Sequence, residues 1–73
     1  MRGYRYQTRR GYVYILPKHG RWQVVYDGDG LGSYHSPHAA ADDVAGGHTD
    51  TPSNGVDLGS AGIPDSITEW ETF

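Results

Sequence analysis

Between residues 11 and 35 the chain carries three short runs of β-branched and aromatic residues separated by turn residues, and the period then changes. Gly11-Tyr12-Val13-Tyr14-Ile15-Leu16 predicts one strand, which Pro17-Lys18-His19-Gly20 turns back. Both faces of that strand are apolar or aromatic, so it is either covered on both sides or presents tyrosines to a ligand. Arg21 to Tyr26 predicts the next strand, with Trp22, Val24 and Tyr26 on one face and Gln23 and Val25 on the other. Asp27-Gly28-Asp29-Gly30 is turn chemistry, because glycine takes positive φ freely and Asp bonds its own backbone. Leu31 to His35 is long enough for a returning strand. Ser36-Pro37 then opens a helix as N-cap and first helical residue, Ala39, Ala40 and Ala41 favour it, and Gly46-Gly47 ends it.

The flanks are less regular. Residues 1–10, MRGYRYQTRR, alternate tyrosine with arginine and glutamine, which fits either a sheet edge whose tyrosines cover the core while the arginines face water, or a basic aromatic arm that orders on binding and stacks on a partner. Residues 48–63 hold Gly, Ser, Thr, Asp, Asn and Pro with little to bury beyond Val56 and Leu58, and read as an irregular excursion over the surface. Pro64 to Glu71 reads as a helical turn with Ile67 and Trp70 on one face. Trp70 has two readings: it docks back on the hairpin and pins the tail, or it belongs to an acidic-aromatic element that engages a partner. The expected fold is α+β, a three- or four-stranded antiparallel sheet packed on one helix with a long irregular C-terminal tail. Residues 1–73 form one domain in this reading: arm or first strand (1–10), sheet and helix (11–47), tail (48–73).

Size limits what this fold can bury. A chain of 73 residues hides only about 60% of its unfolded surface, and such cores rarely supply more than about 3–5 kcal/mol. There is no cysteine, so no disulfide or thiolate metal site reinforces it. No apolar run approaches the ~20 residues of a membrane span. The charge is divided along the chain: Arg2, Arg5, Arg9, Arg10, Lys18 and Arg21 precede residue 22, and all nine acids lie from Asp27 to Glu71. Either two electrostatically distinct surfaces result, or the fold interleaves them.

Catalytic chemistry is not legible. His35, His38 and His48 are the one metal-like group, but no second ligand pair follows at a recognisable spacing, and they read as surface histidines. No Gly-x-Ser-x-Gly elbow occurs. Asp42-Asp43 lies on a short helix and Asp27/Asp29 in a turn, where burial does not raise a carboxyl pKa for acid–base work. Asp27-Gly-Asp-Gly lacks the later acid of a calcium loop, since position 38 is His. No helix N-terminus follows Gly28-x-Gly30-x-Gly32 to receive a phosphate. A non-enzyme without cofactor or metal is expected.

Gly20-x-Trp22, Leu31-Gly32-x-Tyr34 and Ser36-Pro37-x-Ala39-Ala40 together resemble the three-strand-plus-helix module of AP2 plant DNA-binding domains and phage integrase arm-binding domains. The resemblance covers residues 11–47, about half the chain, and implies a sheet face opposite the helix that carries Arg and Trp into the major groove. With Trp22, Val24 and Tyr26 toward the helix, Gln23, Val25 and Asp27 fall on that open face. In size, lack of cysteine and aromatic-rich small sheet, the chain also looks like phage-encoded regulators that bind host RNA polymerase. That resemblance implies a non-enzymatic inhibitor and antiterminator; a monomer in the host bacterial cytoplasm is expected. It would contact polymerase subunits and disturb sigma-factor binding or termination. The contacts expected are Tyr4, Arg5, Tyr6, Arg9 and Arg10 in the basic front and Glu69, Trp70 and Glu71 in the tail, with nucleic-acid contact through the basic arm as the alternative.

Overall fold

The computed structural model describes residues 3–50, 52 and 55–73; Arg2, expected in the basic front, lies with residues 1, 51, 53 and 54 outside the described residues. The chain forms strands β1 (Tyr4–Thr8), β2 (Gly11–Lys18), β3 (Arg21–Tyr26) and β4 (Asp29–Tyr34). Helix α1 (Pro37–Ala45) and two short 3₁₀ turns, Leu58–Ser60 and Ile67–Glu69, follow, and a last strand β5 (Glu71–Thr72) ends the order. All pairings are antiparallel, in the sheet order β4-β3-β2-β1-β5. The fold is α+β as expected, with the front segment supplying a first strand, but the sheet has five strands instead of three or four, because the end of the tail returns to pair with β1.

Local chemistry explains the elements. The β3–β4 turn is the two residues Asp27 and Gly28, with φ of 52° and 80°, the left-handed pair that matches strand twist in a two-residue hairpin. Asp29, which the sequence places in the turn, is already in β4. His19 and Gly20 repeat this geometry between β2 and β3, with φ of 52° and 76°. Ser36 caps α1, its hydroxyl accepting from the Ala39 amide at 3.1 Å, and Pro37 takes the first helical position.

Cross-strand register decides which side chains share the core. Tyr6 pairs with Val13, Val13 with Tyr26, Ile15 with Val24, and Trp22 with Tyr34. Paired residues point to one face, so these side chains lie beneath α1. A bulge between Val24 and Val25 leaves Leu31 without a partner on β3, and Leu31 turns into the core, 3% exposed. Ala40, Ala41 and Val44 cover this face from the helix. Trp22 lies on the face assigned to it but is half-buried, at the margin of a core centred on Val13, Ile15, Val24 and Tyr26.

The tail departs from expectation. It does not run loosely over the surface: Leu58, Ile63, Ile67 and Trp70 are all buried in the same core, with Val56 and Ala61 packed beside them. Gly47 at the helix exit and Gly59 in the first 3₁₀ turn meet backbone to backbone, such that a Cβ on Gly59 would lie 2.9 Å from the Gly47 Cα. The tail thus forms a second lining on the helix side of the sheet. The other face carries no helix or loop layer among the described residues. Among the described residues no helix is long and apolar enough to cross a membrane.

Candidate interaction face

That second face is built by the alternate positions of each strand. Register places Arg5 opposite Tyr14 and Gln7 opposite Tyr12 on β1–β2; Tyr14 opposite Val25, Leu16 opposite Gln23 and Lys18 opposite Arg21 on β2–β3; and Gln23 opposite Ser33 on β3–β4. β2, apolar on both sides, therefore gives Val13 and Ile15 to the core and Tyr12, Tyr14 and Leu16 to this face. It is the central strand and a presenter of tyrosines at once.

The aromatic side chains are organised. Tyr12 and Tyr14 have ring centroids 5.9 Å apart, and Phe73 meets Tyr14 edge-on at 5.9 Å. The Arg5 guanidinium lies 5.0 Å from the Tyr12 ring centroid and 5.2 Å from that of Phe73, within cation–π range of both. Glu71 Oε1 accepts from Arg5 Nε at 2.6 Å. This hydrogen bond raises the Arg5 pKa above its usual value, against the opposing effect of burial; Arg5 is a cation in any case, as every arginine is. Arg21 donates through Nε to the Ser33 hydroxyl at 2.8 Å and through Nη2 to the Ser33 carbonyl at 3.1 Å, which lays it across β3 and β4.

The expected contact residues separate in space. Arg5 and Glu71 come together on the open face. Tyr4 and Tyr6 turn to the helix side, half-buried, where Tyr4 packs on Trp22 at 5.8 Å and Tyr6 on Trp70 at 5.9 Å. Trp70 is 5% exposed and its indole N–H donates to the Pro64 carbonyl at 3.0 Å; it pins the tail, and a ring this deep offers no surface to a partner. Glu69 is exposed on the second 3₁₀ turn. Arg9 and Arg10 form the exposed β1–β2 turn, where the Arg10 carbonyl accepts from the Tyr26 hydroxyl at 2.9 Å. Sequence reasoning missed Phe73 and did not join Tyr12 and Tyr14 to Arg5. The alternation in β2 carried the signal for the tyrosines, whereas nothing around Phe73 marks it.

The charge division along the sequence becomes a division in space only in part. Arg5, Lys18 and Arg21 lie on the open face with Arg9 and Arg10 at its end. Asp42, Asp43, Asp57, Asp65 and Glu69 belong to α1 and to the tail segments on the helix side. Glu71 is set beside Arg5, Asp27 borders the same face with Arg10, Tyr12 and Tyr14, and Asp57 lines a cleft with Arg9 and Arg10. The face is thus more basic than Gln23, Val25 and Asp27 alone imply, since β1, β2 and Arg21 supply the positive groups.

Elsewhere the surface holds little chemistry. A cleft of ≈ 710 Å³ between the β1–β2 turn and the tail is lined by Thr8, Arg9, Arg10, Asp57 and Ser60 among others, with Asp57 committed to capping the turn it precedes. Among the described residues no three His, Cys, Asp or Glu side chains converge as a metal site, and His35, His38 and His48 are exposed. On the helix side, burial and then a hydrogen bond to Asp43 push the Tyr34 hydroxyl up to about 12, which makes it a structural donor at neutral pH. No protein family, curated protein or solved structure matches this chain.

Proposed function

We propose that the chain is a non-enzymatic regulator that docks on bacterial RNA polymerase through its open sheet face and acts by occluding or displacing another factor. One observation carries the docking surface: Tyr12, Tyr14, Leu16 and Val25, with Arg5 among them, stand on a face with no layer over it, while helix and tail are stacked on the other. Aromatic residues and arginine dominate the energetically important centres of protein interfaces. Lys18, Arg21, Arg9 and Arg10 form a basic margin suited to an acidic partner surface, where they add to association rate and orientation. The choice of polymerase rests on the resemblance in size and character to phage regulators, and the host cytoplasm and a monomeric state follow from the same reading.

The test is capture from nuclease-treated bacterial lysate on immobilised protein. Wild type is expected to retain the large polymerase subunits. A folded Tyr12→Ser/Tyr14→Ser variant should not, and Arg9→Glu/Arg10→Glu should retain less. A wild-type protein that retains no polymerase overturns the reading.

A second reading, duplex DNA on the same face, is favoured by Arg5, Lys18 and Arg21 standing beside Gln7 and Gln23, a donor set that can reach phosphates and base edges. Its signature is affinity that falls steeply with salt through counterion release. Binding unchanged as salt rises removes it.

A further inference from the structure

Strand β5 is two residues long, yet it covers part of the sheet edge formed by β1. Gly3 and Phe73 exchange both backbone hydrogen bonds, each at 3.1 Å, and Arg5 pairs with Glu71 in the same register. The side chains of this extended tripeptide then alternate. Glu71 reaches the Arg5 guanidinium, Thr72 falls opposite Tyr4, and Phe73 returns to the open face against Arg5 and Tyr14. A carboxylate and an aromatic ring two positions apart thus engage one arginine from two directions, while the backbone adds a strand.

This occupant is weakly held. The Glu71 side chain is 58% exposed and its arginine partner 33%, so water screens the ion pair. Phe73 is 42% exposed, the one large apolar side chain so placed among the described residues. An edge with a short, loosely held strand is a template for another chain. The recognition chemistry is already displayed by the resident segment: main-chain pairing, one carboxylate for Arg5 and one ring for the Arg5–Tyr14 corner. The basic margin around it favours acidic flanks.

We propose that the β1 edge with Arg5, Tyr12 and Tyr14 is a strand-addition site for an extended acidic segment of a partner protein. In that segment an acidic residue is followed two positions later by an aromatic one, and Glu71–Phe73 is the internal stand-in that it displaces. The inference rests on the open face being a protein-docking surface, and adds to it the edge, the register and the ligand chemistry.

The experiment uses the full chain and a labelled octapeptide that contains Glu-Thr-Phe, with binding read by fluorescence anisotropy and by amide shifts at Gly3. Wild type should bind weakly. Glu71→Gln/Phe73→Ala, which weakens the internal competitor and leaves Arg5 in place, should bind about tenfold more tightly. Arg5→Glu in that background should lose the Glu-Thr-Phe peptide and gain a Lys-Thr-Phe peptide. Absence of binding by the Glu71→Gln/Phe73→Ala variant, shown to be folded by circular dichroism, overturns the proposal, as does equal binding of the two peptides before the Arg5 change. A wild-type dimer that exchanges β5 between copies, seen by sedimentation, overturns the choice of a foreign partner. Loss of peptide binding with polymerase capture intact removes this inference alone. Peptide binding without polymerase capture supports it and removes the polymerase assignment alone.

Discussion

The Trp70 indole packs on the Tyr6 ring, centroids 5.9 Å apart, and so fastens the end of the tail to the first strand of the sheet. In a domain this small the burial of Trp70, 5% exposed, is a large part of the total. Trp70→Ala is expected to cost about 3–5 kcal/mol, comparable with the whole stability such a core can supply, and urea unfolding should show little native baseline. Trp70→Phe keeps a ring but leaves the Pro64 carbonyl without its donor, and should cost about 1–2 kcal/mol. A fully stable Trp70→Ala protein would mean that the tail is not part of the core.

The Asp27-Gly28 turn yields a backbone test free of packing effects. A Cβ on Gly28 would meet nothing within 4 Å, but φ there is +80°, so the cost is purely conformational. Gly28→Ala should destabilise by about 1–2 kcal/mol, and Gly28→Asn by less, because Asn tolerates the left-handed region. Thermal melts of the pair check the order.

At the start of α1, Ser36→Ala removes the hydroxyl that accepts from the Ala39 amide. The expected loss is about 1 kcal/mol, with Ser36→Asp near neutral because Asp caps equally well. Chemical denaturation of the three proteins measures it.

Tyr34 gives a pH dependence at the alkaline end. Burial, then the Asp43 hydrogen bond and charge, raise its folded pKa from 10.0 to about 12. A raised pKa means that the folded state holds the proton more tightly than the unfolded chain does. The stability this adds is complete below about pH 10 and is lost as pH rises toward 12. Tyrosinate absorbance of wild type minus Tyr34→Phe should therefore titrate late, and Asp43→Asn should move the titration to lower pH.

The parts of the fold legible in the sequence are those fixed by neighbours in the chain. Ser36-Pro37 marks the helix start, glycine marks the hairpin turns, and the alternation of Trp22, Val24 and Tyr26 gives the core side of β3. The tail was legible only in part, for a physical reason. Ile67 and Trp70, spaced i, i+3, were legible as one face, with docking of Trp70 one of its two readings, but Leu58 and Ile63 reach the core singly from a stretch of Gly, Ser and Asp, and no period announces them. β5 was invisible because two residues carry no strand signal, and its pairing depends on β1 far away in sequence. The open face was half legible: two-sided apolar character in β2 raised tyrosine presentation as an option, but only the register of β1 against β2 sets Arg5 beside Tyr12 and Tyr14. Tyr4 and Tyr6 had two readings, covering the core or meeting a partner with Arg5, and strand alternation, which puts both on the side opposite Arg5, selects the first.

The pairing of residue 3 with residue 73 has a kinetic meaning. Two-residue turns close β2–β3 and β3–β4 with little loss of chain entropy, whereas joining β1 to β5 encloses nearly the entire chain, and closure entropy grows with loop length. Contacts of that kind form late and break first, so the sheet assembles from its middle outward. Native-state hydrogen exchange should show the Gly3 and Phe73 amides opening at a free energy well below that of β2 and β3, independently of global unfolding. The protein would then spend part of its folded life with β1 uncovered.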